Sequence, residues 1–304
     1  TLDRSSAASD VYKRQRWDHP TLLALSDSLL RSDLAKSPEV FAYATVAKVT
    51  SGRALGRGDG NAGDAQLAEA LKRLSTSSLT TACLVICTRA FLAIHRGDEA
   101  RGLAFIDEGL ARSNGTMRFF DALFHLERAR AFHSRGVFIA ADAAYAQAQS
   151  MFARSAQREQ QETSLDRALL ALERGRYDEV GEQLAATAPH LATSFERAWH
   201  GAIAAAHGAL VGVPVTPTDE ATGTIEDHAC AALRAVAGGV FTAVTVDSFR
   251  VRRAALLAER ANAVRAGAAT VVAWSLDGSA VRCGALGSTC SLSLIHISEP
   301  TRPY

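Results

Sequence analysis

The chain has little of what breaks helices, staples loops or crosses membranes. Seven prolines in 304 residues leave long stretches free to be helical, and the abundance of alanine favours that state. The five cysteines, Cys83, Cys87, Cys230, Cys283 and Cys290, are odd in number and lack the spacing of a disulfide framework. Most fall within helical patterns, which excludes a disulfide scaffold and points to a reducing, cytoplasmic setting. No apolar run approaches the roughly 20 residues a helix needs to span a bilayer, so no membrane partner is expected. Neither charge dominates: 33 Lys+Arg face 32 Asp+Glu. A dedicated nucleic-acid surface needs a basic excess that this stretch lacks.

The two ends are related to each other in a way that protein chemistry does not explain. Asp10–Gln15 reads Asp-Val-Tyr-Lys-Arg-Gln, for which GAT GTG TAT AAG AGA CAG is one permissible coding. Its reverse complement, CTG TCT CTT ATA CAC ATC, encodes Leu-Ser-Leu-Ile-His-Ile, the sequence of Leu292–Ile297. Residues 1–15 and 292–304 are therefore expected to be translated library adapters, set aside from fold reasoning. The natural insert then runs from about Arg16 to Ser291, as an internal piece of a longer protein. Its charges balance.

What is present is an internal period. Arg-Ala recurs at Arg89-Ala90, Arg128-Ala129 and Arg167-Ala168, and glycine follows each arginine at Gly97, Gly136 and Gly175; the interval is 39 residues each time. A fourth Arg-Ala, Arg197-Ala198, opens a shorter, degenerate unit. Recurrence at such a period is the signature of stacked repeats. Each glycine suits a left-handed helix end. The predicted helices are Leu79–His95 and Glu99–Arg112, Met117–Ser134 and Phe138–Arg154, Glu159–Arg174 and Tyr177–Ala188, then Ser194–His207, with Pro189 closing the third unit.

These units resemble tetratricopeptide repeats. Leu172-Glu-Arg-Gly-Arg-Tyr-Asp-Glu-Val180 is similar to the family's glycine–aromatic–acid turn. Ala129, Phe132, Gly136, Ala141 and Ala148 stand at its small and aromatic positions. The repeat is longer than the family's, Ile86, His125 and Ser164 replace its tryptophan, and the turn Gly97-Asp98-Glu99-Ala100 is shortened. The resemblance implies an all-α fold, a right-handed α-α superhelix of helix hairpins, whose first helices line a concave face. On that face the groove positions are Phe91, His95, Arg130, His133 and Trp199, with Phe91 and Trp199 as core residues the competing reading. Arg89, Arg128 and Arg167, in register, form a ladder open to an acidic partner, or else paired or solvated.

The array is expected over 16–210. Upstream of the repeats, Thr21–Leu34 and Pro38–Leu55 pattern as a helix pair. Gly56–Gly63 patterns as a loop, with Asp64 capping a helix Ala65–Leu74. A linker, 211–224, precedes further helices over 225–267, namely Glu226–Ala237 and Ser248–Ala266, the latter capped by Asp247. Thr270–Trp274 and Ser279–Cys283 around Asp277-Gly278 give a short β-hairpin signal near the C-terminal end, expected to open a truncated domain over 268–291.

Motifs that carry chemistry are scarce. Gly56-Arg-Gly-Asp-Gly60 lacks the Gly-Lys-Ser/Thr and preceding strand of a phosphate loop, and Asp59, Asn61 and Asp64 lack calcium-loop spacing. Cys83 and Cys87 share a helix face without the further ligands zinc needs, and Cys283 and Cys290 have no second pair. His125 with His133, and His200 with His207, lack the spacing of a zinc-peptidase helix. Neither a Gly-x-Ser-x-Gly elbow nor a dinucleotide fingerprint occurs. No catalytic residue, metal ligand or cofactor is assigned, and this stretch is not expected to be an enzyme. The expectation is a protein- or peptide-binding regulatory module. The resemblance places it in a large bacterial signalling or transcription-control protein. The alternatives are a stand-alone scaffold or the docking arm of an enzyme.

Overall fold

In the computed structural model, residues 19–58, 60–74, 78–152, 156–213, 215, 222–238, 248–265, 272–274 and 280–282 are described. The terminal segments, Asp247, the Asp277-Gly278 turn, Cys283, Cys290 and half of the expected linker lie outside them. The described residues are overwhelmingly helical: α1 His19–Arg31, a short 3-10 turn Asp33–Lys36, α2 Pro38–Ala54, α3 Gly60–Arg73, α4 Leu79–Arg96, α5 Glu99–Ser113, α6 Arg118–Ser134, α7 Phe138–Phe152, α8 Gln157–Glu173, α9 Tyr177–Thr187, α10 Ser194–Val211, α11 Asp227–Val236 and α12 Phe249–Arg265. Val272–Trp274 pairs antiparallel with Ala280–Arg282, Ala273 opposite Val281.

The repeat register sets the helix ends. Gly97 takes φ +88°, and Gly136 and Gly175 take +73° and +70°, a conformation that a Cβ penalises. Asp98 caps α5 by accepting from the Arg101 N–H. Thr193 and Glu196 form a reciprocal capping box on α10. Pro189 stands in a 3-10 turn directly after α9.

Each helix packs on the next, and α2 with α4, α4 with α6, and α8 with α10 also touch across the intervening helix. The small residues of the Arg-Ala pairs, Ala90, Ala129, Ala168 and Ala198, are all buried. Four apolar clusters run along the chain, from Ala42, Leu67 and Leu92 at one end to Trp199, Leu233 and Leu257 at the other.

Two local expectations are corrected. The Gly56–Gly63 stretch is not all loop: α3 starts at Gly60, and Asp64 lies inside it. Asp64 is buried and accepts from Arg89 and Arg101, so neighbouring cations rather than a helix start fix its place. Also, α4 is long and apolar enough to cross a membrane by length and composition, because its threonines and cysteines interrupt the apolar pattern without adding charge. Here 67% of it is buried among its neighbours.

Candidate functional site: the face of α4, α6 and α8

The face expected to be an open groove is occupied by the chain's own α12. Four of the five groove positions are nearly inaccessible: His95, Arg130, His133 and Trp199 are 1%, 3%, 0% and 0% exposed. The fifth, Phe91, is half-buried, stacked against His95 with the Arg53 guanidinium over its ring. The structure thus gathers these residues beneath one helix and does not leave them on an open surface. What the sequence does not foresee is the helix that covers them.

Phe249, the first residue of α12, wedges between two histidines. Its backbone N–H donates to His95 Nδ1 at 3.2 Å, and its ring meets the His133 ring edge-on, 5.1 Å between centroids. Arg53 also donates to His95 Nδ1, at 2.5 Å. With two donors at Nδ1, the imidazole is neutral and carries its proton on Nε2. Burial pushes the His95 pKa well below its ordinary value, and Arg53, Arg130, Arg250 and Arg252 push it the same way.

Three arginines of α12 make the remaining contacts. Arg250 donates to both carboxylate oxygens of Asp166, at 2.7 and 2.9 Å, and to Glu162 at 2.7 Å. Its guanidinium lies 5.0 Å from the Phe195 ring centre and 5.8 Å from that of Trp199. Arg130 of α6 donates to the same Asp166 and Glu162, so the two carboxylates clamp two guanidinium groups. Burial pushes the Glu162 carboxyl up, but Arg250 and Arg130 outweigh it and hold it at about 2. Glu127, paired with Arg130 alone, is raised by burial.

Arg253 forks onto Glu173, which also accepts from or shares a proton with His133 Nε2 at 2.9 Å. Here too burial opposes ionisation, and Arg253 and His133 reverse it to hold Glu173 at about 2. Arg252 reaches the C-terminal end of α4, donating to the His95 and Ile94 carbonyls at 2.5 and 2.8 Å. The Ile94 carbonyl also accepts from the Gly97 N–H at 3.0 Å, and a cation at this last turn meets the negative end of the helix dipole.

The receiving residues repeat with the array. His95, Ser134 and Glu173 each stand two residues before a repeat glycine, and each touches α12: His95 through Phe249, Ser134 through Arg252 at 3.4 Å, Glu173 through Arg253. Sequence reasoning missed Ser134, Glu162, Asp166 and Glu173. A search at the His95 register would have found two of them. The run Phe249-Arg-Val-Arg-Arg253 is the other overlooked signal.

The arginine ladder resolves as pairs. Arg89, Arg128 and Arg167 each bond an aspartate of the preceding helix: Asp64 at 2.8 Å, Asp107 at 2.5 Å and Asp142 at 2.7 Å. Cys83, Cys87 and Cys230 are buried free thiols, and burial raises each pKa, that of Cys230 to about 12. The glycine-rich stretch lines an open cavity of about 560 Å³ with Lys48, Arg53, Arg57 and Arg96. Arg53 and Arg96 are already engaged there, with Glu226 and Asn61. Among the described residues no group of three or more His, Cys, Asp or Glu is placed to hold a metal ion.

No family model matches the chain, and no curated protein or solved structure matches it.

Proposed function

We propose that this chain is a helical-repeat interaction module, a right-handed superhelix of tetratricopeptide-like hairpins that recognises a helical protein segment on the face of its first helices. One observation carries the reading: residues from three successive units converge on a single helix, α12, through directional polar contacts rather than apolar packing alone. A surface that reads one helix this way has the chemistry to read others. The 39-residue recurrence and the tetratricopeptide resemblance support a regulatory region of a larger bacterial signalling protein, located in the cytoplasm.

The test uses the full chain as bait. A partner identified by mass spectrometry is purified and titrated by calorimetry against the parent and the Glu162→Gln variant. Saturable binding that weakens about tenfold, or roughly 1.4 kcal/mol, in a folded variant supports the reading. A partner insensitive to every substitution on the α4, α6 and α8 face moves recognition elsewhere. The absence of any saturable protein partner overturns it.

A further inference from the structure

We propose that α12 is a cis occupant of this face, and that a partner helix of the same two-faced chemistry binds there in trans when α12 leaves. The inference deepens the interaction reading above and rests on it. The partner it specifies has an aromatic residue followed by arginines one and four positions on, as Phe249, Arg250 and Arg253 are arranged. It also needs small and aliphatic residues where α12 has Val251, Ala254, Leu257 and Ala258.

The contacts on the two faces of α12 differ in kind. Its apolar face joins the cluster of α8 to α11, with Val251, Ala254, Leu257 and Ala258 buried. Its arginine face meets mainly directional partners: the Asp166 and Glu162 carboxylates, the Glu173 carboxylate, and the end of α4, with the Phe195, Trp199 and Phe138 rings beside the guanidinium groups. Elsewhere in the array, adjacent helices pack mainly through alanine, leucine and phenylalanine. Buried ion pairs lose much of their attraction to desolvation, so they add less stability than a well-packed apolar seam. What they impose is register and chemistry, because an unmatched carboxylate left buried is heavily penalised. The α12 seat therefore discriminates between occupants more than it fixes one permanently.

The seat is also a property of the array. The residues that read α12 come from units one, two and three at equivalent positions, His95, Ser134 and Glu173. α12 touches all three by lying across them as a helix. Its arginines answer Glu162, Asp166 and Glu173, which face it together, so a basic occupant is the one this seat matches.

A fluorescein-labelled peptide of residues 248–265, titrated by anisotropy into the full chain, tests this directly. The parent should bind weakly, since α12 competes in cis. An Arg250→Glu/Arg253→Glu chain, whose α12 is repelled by Asp166 and Glu173, should bind the peptide at least about tenfold more tightly. The same peptide with both arginines changed to glutamate should not bind. A folded variant that gains no affinity overturns the inference. If that variant loses its helical circular dichroism, hydrogen exchange on the parent decides instead. Amides of α12 exchanging through a smaller opening than those of α4, α6 and α8 support exchangeability, and α12 opening only with them overturns it. A captured partner indifferent to the α12 substitutions would leave the interaction module standing and refute this inference alone.

Discussion

Arg250 and Asp166 are 84 residues apart in sequence and joined by two hydrogen bonds, with Asp166 fully buried and Arg130 donating to its Oδ2 as well. One carboxylate thereby ties α12 to α6 and α8. Asp166→Asn would leave two buried guanidinium groups short of a charge, at a cost of about 3–5 kcal/mol. Urea titration followed by circular dichroism reads this. A double-mutant cycle with Arg250→Met should give a coupling well above about 0.5 kcal/mol, whereas additive losses would mean the pair is only adjacent.

Ala129 is completely buried at the close approach between α6 and α7. Ala129→Asp should destabilise by about 3–5 kcal/mol, since a carboxylate there is either unpaired or forces the helices apart. A variant melting with the parent would show that the repeat register places the helices wrongly.

Gly109 lies under the Phe124 ring, and a Cβ built there would come within 2.1 Å of it. Alanine is the better helix former by about 1 kcal/mol, but overpacking a rigid ring costs about 1–3 kcal/mol. Gly109→Ala should therefore lower the melting temperature, and Phe124→Leu in the same chain should recover part of the loss. An alanine variant more stable than the parent would contradict the packing of α5 on α6.

The ladder arginines occupy one register with unequal consequences. Asp107, the partner of Arg128, is 71% exposed, and Arg128→Ala should cost less than about 1 kcal/mol. Asp64 is buried, so Arg89→Ala should cost more, about 1.5–3 kcal/mol. Equal losses in thermal melts would argue against the burial difference.

Acid should loosen the chain in two stages. Burial lowers the His95 and His133 pKa values in the folded state, so below pH 6.5 the unfolded chain takes up protons first and stability declines. Glu162 and Glu173, held at about 2, contribute fully above pH 4.5 and lose that contribution as pH falls from 4.5 towards 2. Melting temperature against pH should show both declines. His95→Gln keeps an acceptor for the Phe249 N–H and should flatten the first. An unchanged profile would remove His95 from the effect.

The helices, their ends and the repeat register were legible in the sequence because they rest on local physics. Apolar periodicity and glycine at +φ helix ends act within a few residues. Phe91, Arg130 and Trp199 share one register, each two residues after a repeat arginine, which the sequence shows without showing that Arg130 and Trp199 are buried. The sequence also carried the cationic run of α12 without saying where it goes. Nothing local links Arg250 to Asp166 or Phe249 to His95, which depend on a chain reversal over tens of residues. Asp64 misled for the same reason: capping is a local preference, and two arginines from other helices overrode it. Only tertiary packing decided that the open face of the repeats is filled by the chain itself.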